Sequence, residues 1–157
     1  MIPIGEICNR NVVTANKDVT IAGAAQLMRQ HHIGDVVIVD NENDKRRPLG
    51  MLTDRDIVIE ILAMGLDPNV IAVSDFMSEP LVTVRESEGL WETIQHMRFG
   101  GVRRLPVVDD AGALTGIISF DDVVAHLADE LSHLAKSLAR GREHEHETRR
   151  ARTPRLF

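Results

Sequence analysis

At 157 residues the chain is long enough for one compact domain with a core of its own and short for two independent ones. Apolar residues make up 43% and charged residues 27%, which excludes a disordered chain and fits a soluble globular one. The net charge of -6 is uneven: residues 140–157 hold six arginines against three glutamates, so the remainder sums to -9, a balance that argues against non-specific nucleic-acid binding.

No apolar run reaches the roughly 18 to 20 residues that span a bilayer, because Glu60 interrupts the most hydrophobic stretch. The opening MIPIGEICNR has no signal-peptide core, so the expectation is a cytoplasmic protein without membrane contact. The single cysteine, Cys8, reads as a small apolar residue in a reducing compartment.

In chain order, Val12 to Ala15 is a short β-branched strand, and Ile21, Ala24, Ala25 and Met28 then recur at helical spacing behind two capping candidates, Asp18 and Thr20. His31 and His32 end that helix, where a histidine suits the helix dipole better than a metal. Residues 36–39 form a continuous apolar strand, a polar loop with Pro48 turns the chain, and residues 49–52 return antiparallel. The next helix is predicted to point Ile57, Ile61 and Met64 inward and to stop at Gly65 and Pro68.

The same pattern then repeats. A shift of 69 places Val13 and Thr14 on Val82 and Thr83, Ile21 on Leu90, Met28 on Met97, and VVIVD (36–40) on LPVVD (105–109). After a shorter loop the shift becomes 66, and GMLTDRDIV (50–58) falls on GIISFDDVV (116–124). The expectation is an α+β fold of two pseudo-symmetric β-α-β-β-α repeats, residues 1–66 and 67–131, followed by a C-terminal helix and basic tail over 132–157. In that last helix Val124, Leu127, Leu131, Leu134 and Leu138 extend an apolar seam at near-heptad spacing. Such a seam needs cover, either across a homodimer or from the N-terminal segment Ile2 to Ile7.

In both copies a strand enters a helix through glycine, two apolar residues, a hydroxyl, two variable residues and an aspartate: Thr53 with Asp56, and Ser119 with Asp122. One reading is a capping box that only tidies a helix start. The other is a carboxylate able to hold the vicinal hydroxyls of a ribose beside the free N–H groups of a helix N-terminus.

This doubled unit ending in GxxTxxD, together with VRRLPVVDD, resembles the CBS domain, here as a tandem pair over roughly residues 7–135. GMLTDRDIVIEILAMGLDPN is particularly similar to stand-alone bacterial two-repeat CBS proteins, including the hypoxic-response type. The resemblance implies a non-catalytic regulatory module binding an adenosyl ligand such as AMP, ADP, ATP or S-adenosylmethionine in clefts between repeats, with no cofactor required. It assigns the ribose to Asp56 and Asp122, with Thr53 and Ser119 beside the ligand. Phosphate contacts fall to Arg103 and Arg104, and the flanks of the adenine to Thr14, Thr83, Ile33 and Val102.

The copies differ where charge matters. Gly34 and Asp35 stand where the second copy has Arg103 and Arg104. Either a phosphorylated ligand prefers one cleft, or Asp35 pairs with an arginine and the sites favour ligands of low negative charge. His144 and His146 lack metalloprotease spacing, and no metal site, phosphate loop or nucleophile elbow is found. Trp91 reads as packing or interface, and aromatic content of 3% gives little for stacking nucleic acid. The competing reading is a ligand-free dimeric scaffold or protein-interaction module, whose partner the sequence does not name.

Overall fold

The computed structural model describes residues 2–40, 45–77 and 80–152; within the last helix the side chains of 143 and 146–152, and with them His146, lie outside the description. The chain divides into two compact units, residues 1–120 and 121–157.

The first unit holds two three-stranded sheets of identical topology. In the first, β1 (Thr14–Asn16) lies parallel to β2 (Asp35–Asp40), which pairs antiparallel with β3 (Arg47–Thr53). In the second, β4 (Val84–Arg85), β5 (Arg104–Val108) and β6 (Leu114–Ser119) repeat that order. Even the irregularities match: the ladder slips between Ile38 and Val39 in one sheet and between Val107 and Val108 in the other. The α+β fold of two sheets with helices is that of the two repeats expected from the sequence.

Why β2 is apolar on both faces follows from its packing. Val36, Ile38 and Leu52 meet Ile21, Ala24 and Met28 of α1 (Ile21–His31), whereas Val37, Val39 and Met51 meet Leu114 and Ile117 of the other repeat. Each fully buried aliphatic side chain there contributes roughly 1.5–3 kcal/mol, so the joint between repeats is as much core as either half. Thr20 caps α1, its hydroxyl accepting from the Gly23 N–H at 3.2 Å, while Asp18 is no cap. α1 ends at His32 in the left-handed region, φ 53°, where the matched residue closing α3 (Leu90–Gly100) is Gly101 at φ 62°. In α3 the position matching Ala24 is Thr93, fully buried, its hydroxyl donating to the Gly89 carbonyl at 2.9 Å.

The repeats exchange arms. A 3-10 turn at Ile4–Glu6 seats buried Ile4 on the second repeat, with the Ile4 and Gly5 N–H groups bonded to the Glu88 and Glu86 carbonyls. The matched turn, Val73–Asp75, seats buried Val73 on the first, the Val73 N–H donating to Val19. These arms explain the motif glycines. A Cβ at Gly50 would lie 2.7 Å from Met77, and one at Gly116 2.5 Å from the Cys8 sulfur, so both glycines serve the close approach of an exchanged arm.

After β3 the helix begins as a single turn, α2 (Asp54–Asp56), and widens into a π-helical segment, Ile57–Leu62, with i to i+5 bonds from Ala63 to Val58 and from Leu66 to Ile61. The sequence pointed Ile57, Ile61 and Met64 inward on an α-helical period. Ile61 is buried and Ile57 packs on the core, but Met64 is 68% exposed, because the wider turn and Gly65 at φ 67° end the helix before it can turn in. In the second unit, α4 (Phe120–Arg152) is the extended C-terminal helix expected from the seam.

Candidate functional site

The β3–α2 junction is built by reciprocal hydrogen bonds. The Thr53 hydroxyl accepts from the Asp56 N–H at 3.1 Å, and the Asp56 carboxylate accepts from the Thr53 N–H at 2.9 Å, a complete capping box. The helix-punctuation reading of this pair therefore holds in full. It does not exhaust the carboxylate, whose two oxygens offer about four acceptor sites of which the box uses one.

In front of that junction lies a cavity of roughly 590 Å³, within the range of small-molecule sites. One wall carries Met51, Thr53 and Asp56 from the first repeat; the facing wall carries Val82, Val102, Arg103 and Arg104 from the second. The chain thus brings together, from positions about 50 residues apart, five of the residues singled out by sequence. Asp54, Arg55, Gly101 and the segment Pro80–Val82 complete the lining and were not singled out. The signal for Leu81 and Val82 was available, since they lead into Thr83 as Val12 and Val13 lead into Thr14.

The remaining candidates lie elsewhere. Thr14 opens β1 opposite Val37, and Ile33 packs against the first core cluster. Thr83 directly precedes β4, Ser119 ends β6 opposite Arg104, and Asp122 lies in the first turn of α4. None of these five lines the cavity described.

Charge in the cavity is nearly balanced. Arg104 donates from Nε to Asp35 at 2.9 Å, the Asp35 side chain only 12% exposed and that of Arg104 38%. Asp35 is thus paired with an arginine, the contact that one of the two readings from the sequence required. Burial pushes the Asp35 carboxyl above its ordinary value, Arg104 opposes that shift, and nearby Asp54 adds to it. Arg103 stands 6.0 Å over the Phe120 ring, and its carbonyl accepts from the Phe120 N–H at 2.7 Å. Asp54 and Asp56 offset Arg55, so the cavity presents hydrogen-bonding groups of both signs and no concentrated positive field.

Two stretches of the chain, residues 4–63 and 73–129, match the sequence profile of the CBS domain. The chain belongs to the CBS-domain family. Among relatives, an uncharacterized protein of Methanopyrus kandleri is 40% identical over 123 residues, covering 78% of this chain and 61% of that protein. Hypoxic response protein 1 of Mycobacterium tuberculosis is 37% identical over 122 residues, 78% of this chain and 82% of the other. A crystal structure of Hypoxic Response Protein I with two coordinated zinc ions superposes with a TM-score of 0.70 at 36% identity, covering 80% of this chain and 99% of that one. Among the described residues here, no three His, Cys, Asp or Glu side chains gather as a metal cluster, and no helix is long and apolar enough to cross a membrane. CBS-domain pairs are regulatory modules, and this CBS pair carries its cavity where the repeats meet.

Proposed function

We propose that this CBS pair is a non-catalytic sensor that binds an adenosyl ligand in the cavity between Thr53–Asp56 and Val102–Arg104, and transmits occupancy through the joint between repeats. The observation that carries the reading is the meeting of a helix-start carboxylate, Asp56, with a guanidinium and apolar side chains from the other repeat around one nucleoside-sized space. Asp56 holds the ribose hydroxyls, Thr53 lies beside them, and Val82 and Val102 flank the base; Thr83 supports that wall. A matched second cleft, with Ser119, Thr14 and Ile33, belongs to the same reading.

The pairing of Arg104 with Asp35 sets the ligand's charge. A triphosphate would have to compete with a largely buried carboxylate for that guanidinium, while Asp54 and Asp56 repel it. The favoured ligand is therefore a nucleoside, a monophosphate or a sulfonium such as S-adenosylmethionine. Residues 1–66 and 67–131 act as one integrated module, since each repeat is completed by the other's arm.

Thermal shift and calorimetry with adenosine, AMP, ADP, ATP and S-adenosylmethionine test this. Stabilisation rises with ligand concentration by mass action. Asp56→Asn keeps an acceptor for the Thr53 N–H and removes the charge, and it is expected to weaken binding about tenfold or more, the loss of one charge-assisted hydrogen bond. Absence of binding across the panel, or tightest binding for ATP, overturns the reading.

A further inference from the structure

The CBS match ends at residue 129, yet α4 runs on to Arg152. Along it Val124, Leu131, Leu134 and Leu138 are 48%, 66%, 62% and 68% exposed, and with Leu127 they alternate in steps of three and four, the a and d positions of a heptad. An isolated helix would not keep a leucine seam in water at no cost, and at a rough 25 cal/mol per Å² each leucine favours a partner helix.

Charge along the helix indicates which partner and which direction. Asp121, Asp122, Asp129 and Glu130 make the first third acidic; Lys136, Arg140 and Arg142 make the stretch that follows basic. A second copy laid parallel sets acid beside acid and base beside base. Laid antiparallel, it sets residues 121–130 of one copy along 135–144 of the other, where Lys136, Arg140 and Arg142 outnumber Glu143.

The register is also determined. If Leu131 of one copy packs on Leu134 of the other, Leu127 falls on Leu138 and Val124 on Gly141, so every layer joins an a position to a d position. The glycine leaves room where a Cβ would meet nothing within 4 Å, and a hollow lined by Leu134, Leu138, Gly141 and Arg142 lies on that face. At the flanking positions this register sets Asp121 near Arg142 and the small Ala128 near Ala135, so the helices can approach closely.

We infer that two copies of this chain pair antiparallel through α4, about a dyad between Leu131 and Leu134. The inference is independent of the nucleoside reading and concerns residues that mostly follow the CBS match.

The test uses the full chain with Cys8→Ser, which removes its one cysteine, and a spin label introduced at either Ser132→Cys or Arg140→Cys. Antiparallel pairing puts the two copies of position 132 within about 2 Å of each other along the axis and those of position 140 about 22 Å apart, at 1.5 Å per residue. The label-to-label distance is therefore short at 132 and clearly longer at 140. Leu131→Glu with Leu134→Glu, both exposed and so harmless to the fold, is expected to abolish the short distance while helix content by circular dichroism stays unchanged. Equal distances at 132 and 140 would establish a parallel pair and overturn the inference. So would no inter-copy distance at 132, or a short distance that survives the two glutamates.

Discussion

Gly50 and Gly116 occupy matched places in the two repeats, as do Asp35 and Arg104, yet the first pair is conserved between copies and the second has opposite charges. The glycines answer to packing. Each lies under an arm donated by the other repeat, and that demand is the same on both sides of the molecule. Asp35 and Arg104 answer to symmetry in another way: residues that open matched strands and still touch, at 2.9 Å, must lie at the pseudo-twofold axis, where a residue faces its own counterpart. Two like charges would repel there, in a setting where Asp35 is mostly withdrawn from water. Duplication therefore preserves what packs against a different surface and must break what packs against itself.

The largest effect that separates these cases is expected from Gly116→Ala. Its new Cβ meets the Cys8 sulfur at 2.5 Å and the Asn9 carbonyl at 3.1 Å, and Asn9 is tied to Ile117 by two backbone bonds of 2.9 Å, so the arm has little freedom to retreat. A loss of about 2–3 kcal/mol in urea unfolding follows, the usual cost of overpacking. For Gly50→Ala the three nearest atoms all belong to the Met77 side chain, at 2.7–3.0 Å, which can rotate away more readily than the doubly bonded Asn9 backbone, and the cost should be smaller, about 1 kcal/mol. Equal losses would show that the two arms are equally rigid and would undo the contrast.

At the axis, Asp35→Arg sets a guanidinium against Arg104 and should cost about 2 kcal/mol, less than a fully buried mismatch because Arg104 is partly in water. Exchanging the pair, Asp35→Arg with Arg104→Asp, restores opposite charges and should recover at least half of that loss in a double-mutant cycle. If the exchange recovers nothing, the surroundings and not the mutual charge of the pair dictate which residue stands where, and the symmetry argument fails.

Much of this was legible from the chain. The repeat, the order of elements along the chain and the extended last helix followed from two shifts and from hydrophobic period, because each copy's buried face writes the same apolar positions. The site was legible in part: Thr53, Asp56, Val102, Arg103 and Arg104 do share a cavity, but Asp54 and Arg55 fill the two positions that the pattern leaves variable. Met64 failed because a π-helical turn has a different period from the one assumed, and no residue type announces it. Thr93 was missed because a buried hydroxyl satisfied by its own helix looks polar in sequence and behaves as core. In sequence the motif glycines only open the hydroxyl–aspartate pattern, whereas their neighbours come from arms 107 or more residues earlier or 27 later, a relation that only exchange of segments creates.

The smallest effect is also the one that compares the axis with the rim. Burial raises the Asp35 carboxyl above its ordinary value near 3.8, so the folded chain holds that proton more tightly than the unfolded chain does. Its contribution to stability is complete below that ordinary value and is lost as pH climbs through the raised one. Glu86 behaves oppositely. A hydrogen bond from Arg10, at 2.8 Å, holds it below its ordinary value near 4.5, so its contribution is complete above that value and is lost as pH falls through the lowered one. Urea midpoints of the parent, Asp35→Asn and Glu86→Gln, measured from about pH 3 to about pH 6, separate the two, with general acid effects cancelling in each difference. The stability of Asp35→Asn relative to the parent should rise with pH, and that of Glu86→Gln should fall. Both groups face arginines at almost the same distance, so opposite slopes would mean that withdrawal from water, and not the partner, governs the carboxylate at the axis; slopes of one sign would reverse that conclusion.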